Sequence, residues 1–244
     1  MKNEKAILTG YLTHNPNITS YDSVFLKNKL KLFLDNLTLF ESPDIYGKIN
    51  NEILILEHFE FDGSEENKEE NGKIIKGMDG VAKEYKAIKE FKQFDRENDR
   101  GELVLPMNYY QTVENYIKNF TKHFNNHYKK INKYIENLKD KKIVDNETVI
   151  YTGFFIENKI PPIFNNYGDI EEINLLTTKQ FIEVFDDSQL LDIVLFGGLF
   201  NEKPRLFYID RSLIGNHKSD LRDLDNIEFL RLSEVQMVWK NSSY

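Results

Sequence analysis

The stretch that decides the fold is Ile53-Leu-Ile-Leu-Glu-His-Phe-Glu-Phe61. It opens with four consecutive apolar residues and closes with polar residues that alternate with phenylalanine. Bulky β-branched and aromatic side chains are favoured in strands, and an unbroken apolar run is typical of a strand that is covered on both faces. The stretch therefore predicts a central strand with Glu57 at the end of its apolar run.

Length and composition place this strand in an ordinary ordered globular protein. The chain has 244 residues, of which 40% are hydrophobic and 30% charged, with 12 Gly and 6 Pro. This length suffices for one large domain or two small ones, and the composition excludes a disordered chain or a collagen-like repeat. The chain has no cysteine, which excludes disulfides, thiolate nucleophiles and zinc sites built on sulfur.

Charge and hydropathy limit the partners of the chain. A net charge of -8 argues against a general attraction to nucleic acid or to anionic membranes, so any contact with nucleic acid must be local. No apolar run reaches the roughly 18 residues of a membrane span, and the first residues lack the apolar segment of a secretory signal. We expect a cytoplasmic protein without a membrane partner, and the sequence leaves its oligomeric state open.

The remaining segments predict an α/β (α+β) fold, with a central mixed sheet flanked by helices. Residues 1–244 are expected to form one mixed domain, with residues 165–244 as an alternative C-terminal, strand-rich subdomain. Apart from the central strand and the longest helix, the expected elements are helices at 20–37, 81–96 and 177–185 and strands at 38–41, 148–156, 191–200, 205–209 and 228–232.

The longest periodic segment predicts a long amphipathic helix over about residues 107–140, because apolar residues recur at three- and four-residue steps. Between residues 107 and 142 the chain carries eight lysines against three acidic residues. Such a face could follow a phosphate backbone, although lysines opposite an apolar stripe are usually a solvated surface. The candidates for contact with nucleic acid are Lys118, Lys122, Lys129, Lys130 and Lys133.

Two histidines of this helix, His123 and His127, share a face because they are four residues apart. They lack the glutamate of the metalloprotease pattern at the intervening position. We therefore expect both to be exposed polar residues without a role in a site.

Two carboxylates are candidates for a metal site. Asp44 follows Pro43 directly, and Glu57 lies thirteen residues later. Carboxylates from adjacent strands can hold Mg²⁺ or Mn²⁺ through their oxygens, and such a metal promotes phosphodiester hydrolysis by lowering the pKa of a bound water and stabilising the developing charge. The alternative is that Pro43 and Asp44 form an ordinary turn and that Glu57 is an exposed or salt-bridged strand end.

In these residues the chain resembles the PD-(D/E)XK nuclease superfamily. The matched stretches are Pro43-Asp44 and Ile53-Leu-Ile-Leu-Glu57-His58-Phe59, within residues 20–156. The resemblance implies a core of one helix, three antiparallel strands, a second helix and a further strand, with Asp44 and Glu57 as metal ligands. Phe59 stands where the superfamily has a lysine. Nominal substitutes for that lysine are Lys48, Lys86 and Lys89.

The other face of the central strand supplies a second hypothesis. Alternation places His58, Glu60 and Asp62 on one face, opposite Glu57. An imidazole with two carboxylates could bind a transition metal or act as a general base, and Glu60 is also a candidate to assist the Asp44 and Glu57 pair in catalysis. The commoner explanation is a strand whose polar face meets solvent.

Together these patterns favour two functions from different classes. One is a divergent nuclease that hydrolyses DNA or RNA with Mg²⁺ or Mn²⁺. The other is a non-catalytic binding or structural protein that keeps a nuclease-like or other α/β fold. The spacing of Asp44 and Glu57 favours the enzyme, whereas Phe59 and the net charge favour the alternative. The nuclease hypothesis fails if the two carboxylates point to opposite faces of the sheet.

Overall fold

The computed structural model describes residues 4–14, 24–63, 66–68, 74–76, 103–109, 112–158, 163–166, 169–200, 203–214, 221–227 and 232–239. The helices in these ranges are α1 (Glu4–His14), α2 (Val24–Asp35), α3 (Val113–Tyr128), α4 (Ile131–Asp140) and α5 (Lys179–Asp187). The strands are β1 (Leu37–Leu39), β2 (Ile45–Ile49), β3 (Glu52–Phe61), β4 (Glu66–Lys68), β5 (Ile74–Lys76), β6 (Leu103–Tyr109), β7 (Val149–Asn158), β8 (Ile163–Asn166), β9 (Asp169–Glu172), β10 (Ile193–Phe200), β11 (Lys203–Asp210) and β12 (Leu232–Trp239).

Six of the described strands form one mixed sheet in the order β1-β2-β3-β7-β10-β11. The first three strands are a meander of antiparallel pairs. β7 then lies parallel to β3 on one side and to β10 on the other, and β11 closes the sheet as an antiparallel hairpin partner of β10. The remaining described strands form three separate antiparallel pairs: β4 with β5, β6 with β12, and β8 with β9.

The central position of β3 confirms what its apolar run predicts. It lies between β2 and β7, and Ile53, Leu54, Ile55 and Leu56 are all at most 2% exposed. Successive side chains of a strand point to opposite faces of the sheet, so this strand contributes to two hydrophobic cores. Each core needs its own helical cover.

Different helices bury the two faces. One core joins the odd-numbered residues of β3 to α3, α4 and α5, with Tyr116, Phe120, Phe124 and Phe181 fully or almost fully buried. The other joins the even-numbered residues of β3 to α1 and α2 through Leu8, Leu30, Phe33 and Leu34. The sheet with helices on both faces confirms the expected α/β class.

The long helix is shorter and more bent than its periodicity predicts. A start near residue 107 is wrong, because residues 103–109 form strand β6, paired with β12. The helix begins at Val113, where the hydroxyl oxygen of Thr112 accepts a hydrogen bond from the amide of Asn115 at 3.3 Å. It bends at Lys129 and Lys130 before continuing as α4, since the amide of Lys130 bonds to the nearer carbonyl of His127 at 3.0 Å.

Several other expected elements are present with shifted ends. α2 covers residues 24–35 of the helix expected at 20–37, and β7 and α5 lie within two residues of their expected ranges. Helix α1 was not expected, and the helix expected at 81–96 lies outside the described residues. Of the strand expected at 228–232 only Leu232 is described, and it is the first residue of β12. None of the described helices combines the length and the apolar character that a membrane crossing requires.

Candidate functional site

Asp44, which directly precedes β2, is a neighbour of Glu57 on the adjacent strand β3. β2 and β3 pair antiparallel with Ile45 opposite Leu56, so one step further along each strand places Asp44 beside Glu57. The carbonyl oxygen of Asp44 accepts a hydrogen bond from the amide of Phe40 at 2.9 Å, which closes the loop between β1 and β2. Directly opposed residues of an antiparallel pair point to the same face. The two carboxylates therefore lie on the same face of the sheet.

The backbone of β3 holds the Asp44 side chain. Its Oδ2 accepts a hydrogen bond from the amide of His58 at 2.8 Å. Burial and, next, the negative charge of Glu57 raise the pKa of Asp44 to about 6, although the His58 amide lowers it. The charge of Asp44 also helps to raise the pKa of Tyr134, which contacts Glu57. These mutual effects are expected of acidic groups that share one small, partly desolvated site.

Glu57 is held from the opposite direction by helices α3 and α4. It is 8% exposed, and its Oε1 lies 2.5 Å from the hydroxyl of Tyr134 and 2.9 Å from Nδ1 of His127. Burial, followed by the hydrogen bond to Glu57, raises the pKa of Tyr134 above its usual range, so its hydroxyl keeps the proton and donates. A carboxylate oxygen only accepts hydrogen bonds, which makes Nδ1 of His127 the second donor.

Phe59 fills the position at which the resemblance implies a lysine. Its ring is 5% exposed and stacks on the His127 imidazole, with 4.5 Å between centroids and 9° between planes. Lys48 does not replace that lysine, because its Nζ donates to the carbonyl of Ile143 at 2.5 Å. Lys86 and Lys89 lie outside the described residues. Within the described residues, histidine is therefore the basic side chain that touches Glu57.

Each carboxylate keeps one oxygen that the described part of the chain leaves without a hydrogen bond. For Asp44 this is Oδ1, because Oδ2 is held by the His58 amide, and for Glu57 it is Oε2, because Oε1 receives both donors. Two hard oxygen donors suit Mg²⁺ or Mn²⁺, and Mg²⁺ usually binds one or two carboxylates and keeps several waters. The donor set thus fits such an ion.

The described residues contain no group of three or more His, Asp or Glu side chains arranged to hold a metal ion. The pair of Asp44 and Glu57 would therefore have to share a cation with water or with oxygens of a substrate. In this part of the chain, no three-ligand group supports the hypothesis that His58, Glu60 and Asp62 bind a transition metal.

The opposite face of the sheet carries a second polar cluster. Nε2 of His58 lies 3.4 Å from Oε2 of Glu157, and the Tyr11 hydroxyl donates to Oε1 of Glu157 at 3.3 Å. Glu60 belongs to this face, since it is paired in register with Glu157. The structure therefore does not bring Glu60 to Asp44 and Glu57, which face α3 and α4.

The lysines expected to bind nucleic acid are on the outer side of the bent helix. All five are exposed, whereas the side of α3 and α4 that faces the sheet carries the residues that contact Glu57. A helix with its side chains is about 10–12 Å across, so these lysines do not line the carboxylate pair. The exposed lysines are Lys118, Lys122, Lys129, Lys130 and Lys133.

The sequence hypothesis missed His127 and Tyr134 as site residues. Tyr134 lies in the apolar register of the helix and is buried in the core, but its hydroxyl also reaches Glu57. His127 was expected to be exposed, yet its side chain is 20% exposed and bonded to Glu57. A signal was present, because His127 lies three residues after Phe124 and four before Ile131, in the apolar register of the helix. A polar residue in that register usually has a buried partner.

The chain has no match among known proteins in three comparisons. No family model, no curated protein and no solved structure matches the chain.

Proposed function

We propose that the chain is a divergent metal-dependent nuclease in which Asp44 and Glu57 bind Mg²⁺ or Mn²⁺. The observation that carries the proposal is the position of these two carboxylates on one face of the sheet, each with one oxygen held by the protein and one left. This arrangement presents two negatively charged oxygens from rigid strands. Rigid placement of ligands is what a catalytic metal site requires.

The order of elements supports the same proposal. Helix α2 precedes the antiparallel meander β1-β2-β3, and the bent helix then leads to β7, which is parallel to β3. This is the order implied by the resemblance to the PD-(D/E)XK nucleases, and Asp44 and Glu57 occupy its motif positions. Fold alone does not establish activity, so the carboxylates are the main support for the proposal.

The residues of the chain have separable roles in this proposal. A bound Mg²⁺ or Mn²⁺ would lower the pKa of water and stabilise negative charge on phosphate oxygens. Asp44 and Glu57 would hold the ion. The His58 amide orients Asp44, and His127 and Tyr134 orient Glu57. Since the pKa of Asp44 is about 6, Asp44 is mostly ionised at pH 7 and above and can act as a ligand there.

The exposed lysines of α3 and α4 would contact nucleic acid at a distance from the reaction. Their charges lie on the solvent side of the helices, so they could hold the phosphate backbone of a DNA or RNA strand that passes over the helix. Such contacts are independent of base sequence. They would compensate locally for the net charge of -8.

A second candidate function is a non-catalytic binding or structural role. It is favoured by Phe59, whose ring packs against His127 where a catalytic lysine is expected. In this alternative the hydrogen bonds to Glu57 only satisfy a buried carboxylate. In this alternative the fold is the same, but Asp44 and Glu57 take part in no reaction.

A cleavage assay separates the two candidates. The purified protein is incubated with single-stranded DNA, double-stranded DNA and RNA, each with Mg²⁺ or Mn²⁺, beside Glu57→Gln and Asp44→Asn. Glu157→Gln is the matched control, because it removes a comparable carboxylate from the other face. We expect cleavage by the wild type and the control but not by the two site variants. If the wild type cleaves none of the substrates with either ion, the non-catalytic role replaces the proposal.

A further inference from the structure

We infer that His127 and Tyr134 restrict Glu57 to binding a cation through Oε2 alone, and that this restriction selects Mg²⁺ or Mn²⁺ over Ca²⁺. The inference rests on the proposed function, because it concerns the same carboxylate pair. It adds two positioning residues and a cation preference to that proposal.

The two donors converge on one atom. Tyr134 from α4 and His127 from the end of α3 both donate to Oε1, at 2.5 and 2.9 Å. A carboxylate that accepts two hydrogen bonds at one oxygen is fixed in rotation about its last torsion. Its other oxygen, Oε2, then has one direction in which to meet a ligand.

The donors are themselves held in place by packing. Tyr134 is 3% exposed and belongs to the core between the helices and the sheet. The imidazole of His127 is stacked on Phe59, and its ring meets that of Phe154 at 78° with centroids 6.5 Å apart. Neither donor can follow Glu57 without disturbing this packing, because buried side chains are close-packed. The aromatic residue at position 59 thus acts as the support for His127.

Asp44 is oriented by a different donor. Its Oδ2 accepts from the backbone amide of His58, which belongs to the central strand and cannot swing aside. Glu57 is therefore limited to Oε2 unless its two hydrogen bonds are broken, whereas Oδ2 of Asp44 accepts one hydrogen bond and keeps one lone pair. A buried donor that loses its acceptor pays the full penalty of desolvation.

One-oxygen ligands suit some cations better than others. Ca²⁺ takes six to eight oxygens in flexible geometry and often uses both oxygens of a carboxylate. Mg²⁺ demands six ligands in near-ideal octahedral geometry, keeps several waters and is bound through one or two carboxylates. A site in which Glu57 offers a single oxygen therefore loses more for Ca²⁺ than for Mg²⁺ or Mn²⁺.

Direct binding measurements test the inference without relying on activity. Mn²⁺ binding is measured by electron paramagnetic resonance, and Ca²⁺ is then titrated as a competitor, for the wild type, Tyr134→Phe and His127→Gln. Tyr11→Phe is the matched control, because its hydroxyl bonds to a glutamate on the other face. We expect the preference for Mn²⁺ over Ca²⁺ to fall about tenfold or more in the two site variants. The control should keep the preference of the wild type.

The outcomes distinguish the inference from the proposed function. If the wild type binds Mn²⁺ and both site variants keep its preference over Ca²⁺, the inference is wrong and the proposed function stands. If the wild type binds neither ion, both are wrong. Tyr134→Phe could lose all Mn²⁺ binding and still keep its thermal melt. That result supports a positioning role if His127→Gln, which changes a more exposed residue, shows the reduced preference for Mn²⁺ over Ca²⁺. An unchanged preference in His127→Gln would overturn the inference.

Discussion

The two faces of the central sheet each place a tyrosine and a histidine around a glutamate, yet they hold it differently. On one face Glu57 receives a tyrosine and a histidine on a single oxygen, at 2.5 and 2.9 Å. On the other face Glu157 meets Tyr11 at one oxygen and His58 at the other, at 3.3 and 3.4 Å. The first arrangement has two short hydrogen bonds to one oxygen, whereas the second has two longer contacts, one to each oxygen.

The difference lies also in the neighbours of each glutamate. Glu57 has Asp44 beside it on the adjacent strand, and the two negative charges are close enough to raise the pKa of Asp44. On the other face, Nε2 of His58 is buried and has no hydrogen-bond partner within the described residues. The same residue types therefore give a fixed carboxylate in one place and a looser contact in the other. Geometry, more than composition, distinguishes the face on which we propose the site.

The largest expected effect separates the two glutamates by metal binding. We expect Glu57→Gln to weaken Mn²⁺ binding by at least about 100-fold, beyond the 10–100-fold loss typical of residues that only support a ligand. We expect Glu157→Gln to leave the affinity within about threefold. Titration calorimetry at pH 7.5 measures both. Equal losses in the two variants would contradict the assignment of the site to one face.

The tyrosines should differ in their contribution to stability. Tyr134→Phe leaves Glu57 buried with one donor fewer, so we expect it to lower the free energy of unfolding by about 1–3 kcal/mol. Tyr11→Phe removes a longer bond from a half-buried tyrosine and should cost less than about 1 kcal/mol. Urea denaturation, monitored by circular dichroism, gives both values. A larger loss for Tyr11→Phe would reverse the ranking of the two clusters.

The burial of Asp44 and, next, the negative charge of Glu57 should appear as a dependence of stability on pH. The pKa of Asp44 is raised to about 6 in the folded protein from a usual value of 3.8. Between these values the unfolded chain releases the proton while the folded chain keeps it, so stability falls as pH rises and the full penalty is present above about pH 6. Asp44→Asn removes this penalty and retains an acceptor for the His58 amide.

With a chelator present, Asp44→Asn should therefore match the wild type near pH 4 and melt higher at pH 7.5. Solvent screening of this half-buried group reduces the expected gain to roughly 1 kcal/mol, or about 2–4 °C in Tm. Thermal melts across pH 4–8 measure the difference. A gain at pH 4 that vanishes by pH 7.5 has the wrong sign and would contradict a raised pKa of Asp44 in the folded protein.

The smallest expected effect concerns the exposed lysines. Replacing Lys122 and Lys133 by Gln should change the free energy of unfolding by less than about 0.5 kcal/mol, because both side chains are exposed. The Mn²⁺ affinity should stay unchanged, since these residues point away from Glu57. Binding to single-stranded DNA should weaken and its salt dependence should decrease. Filter binding at several salt concentrations tests this, and unchanged DNA binding would remove these lysines from the proposed interface.

The sequence predicted the strand that organises both faces but not the contacts across them. The apolar run at 53–56 and the alternation after it place Glu57 and His58 on opposite faces, as found. By contrast, the partners of Glu57 lie 70 and 77 residues away along the chain. The contacts of these partners with Glu57 depend on how the bent helix packs on the sheet. Periodicity alone does not determine that packing.

The strand β6 illustrates a different reason for error. Residues 107–109 precede the helix without a break in polarity, so the periodic pattern predicted helix there. Leu103, Val104 and Leu105 instead pair with β12, which is more than 120 residues away in sequence. Long-range pairing overrides local preference in such segments. The cap at Thr112 marks the true helix start, and Ser or Thr before an apolar helical pattern is a usable signal.

The hydrogen bond from the His58 amide to Asp44 gives the site a spectroscopic probe within the chain itself. The chemical shift of an amide proton responds to the charge of the group that accepts it. In a ¹H–¹⁵N correlation spectrum, the His58 resonance should therefore move as Asp44 titrates and move again when a cation takes up its charge. A single backbone signal, with no label attached to the site, would thus report the state of the carboxylate pair.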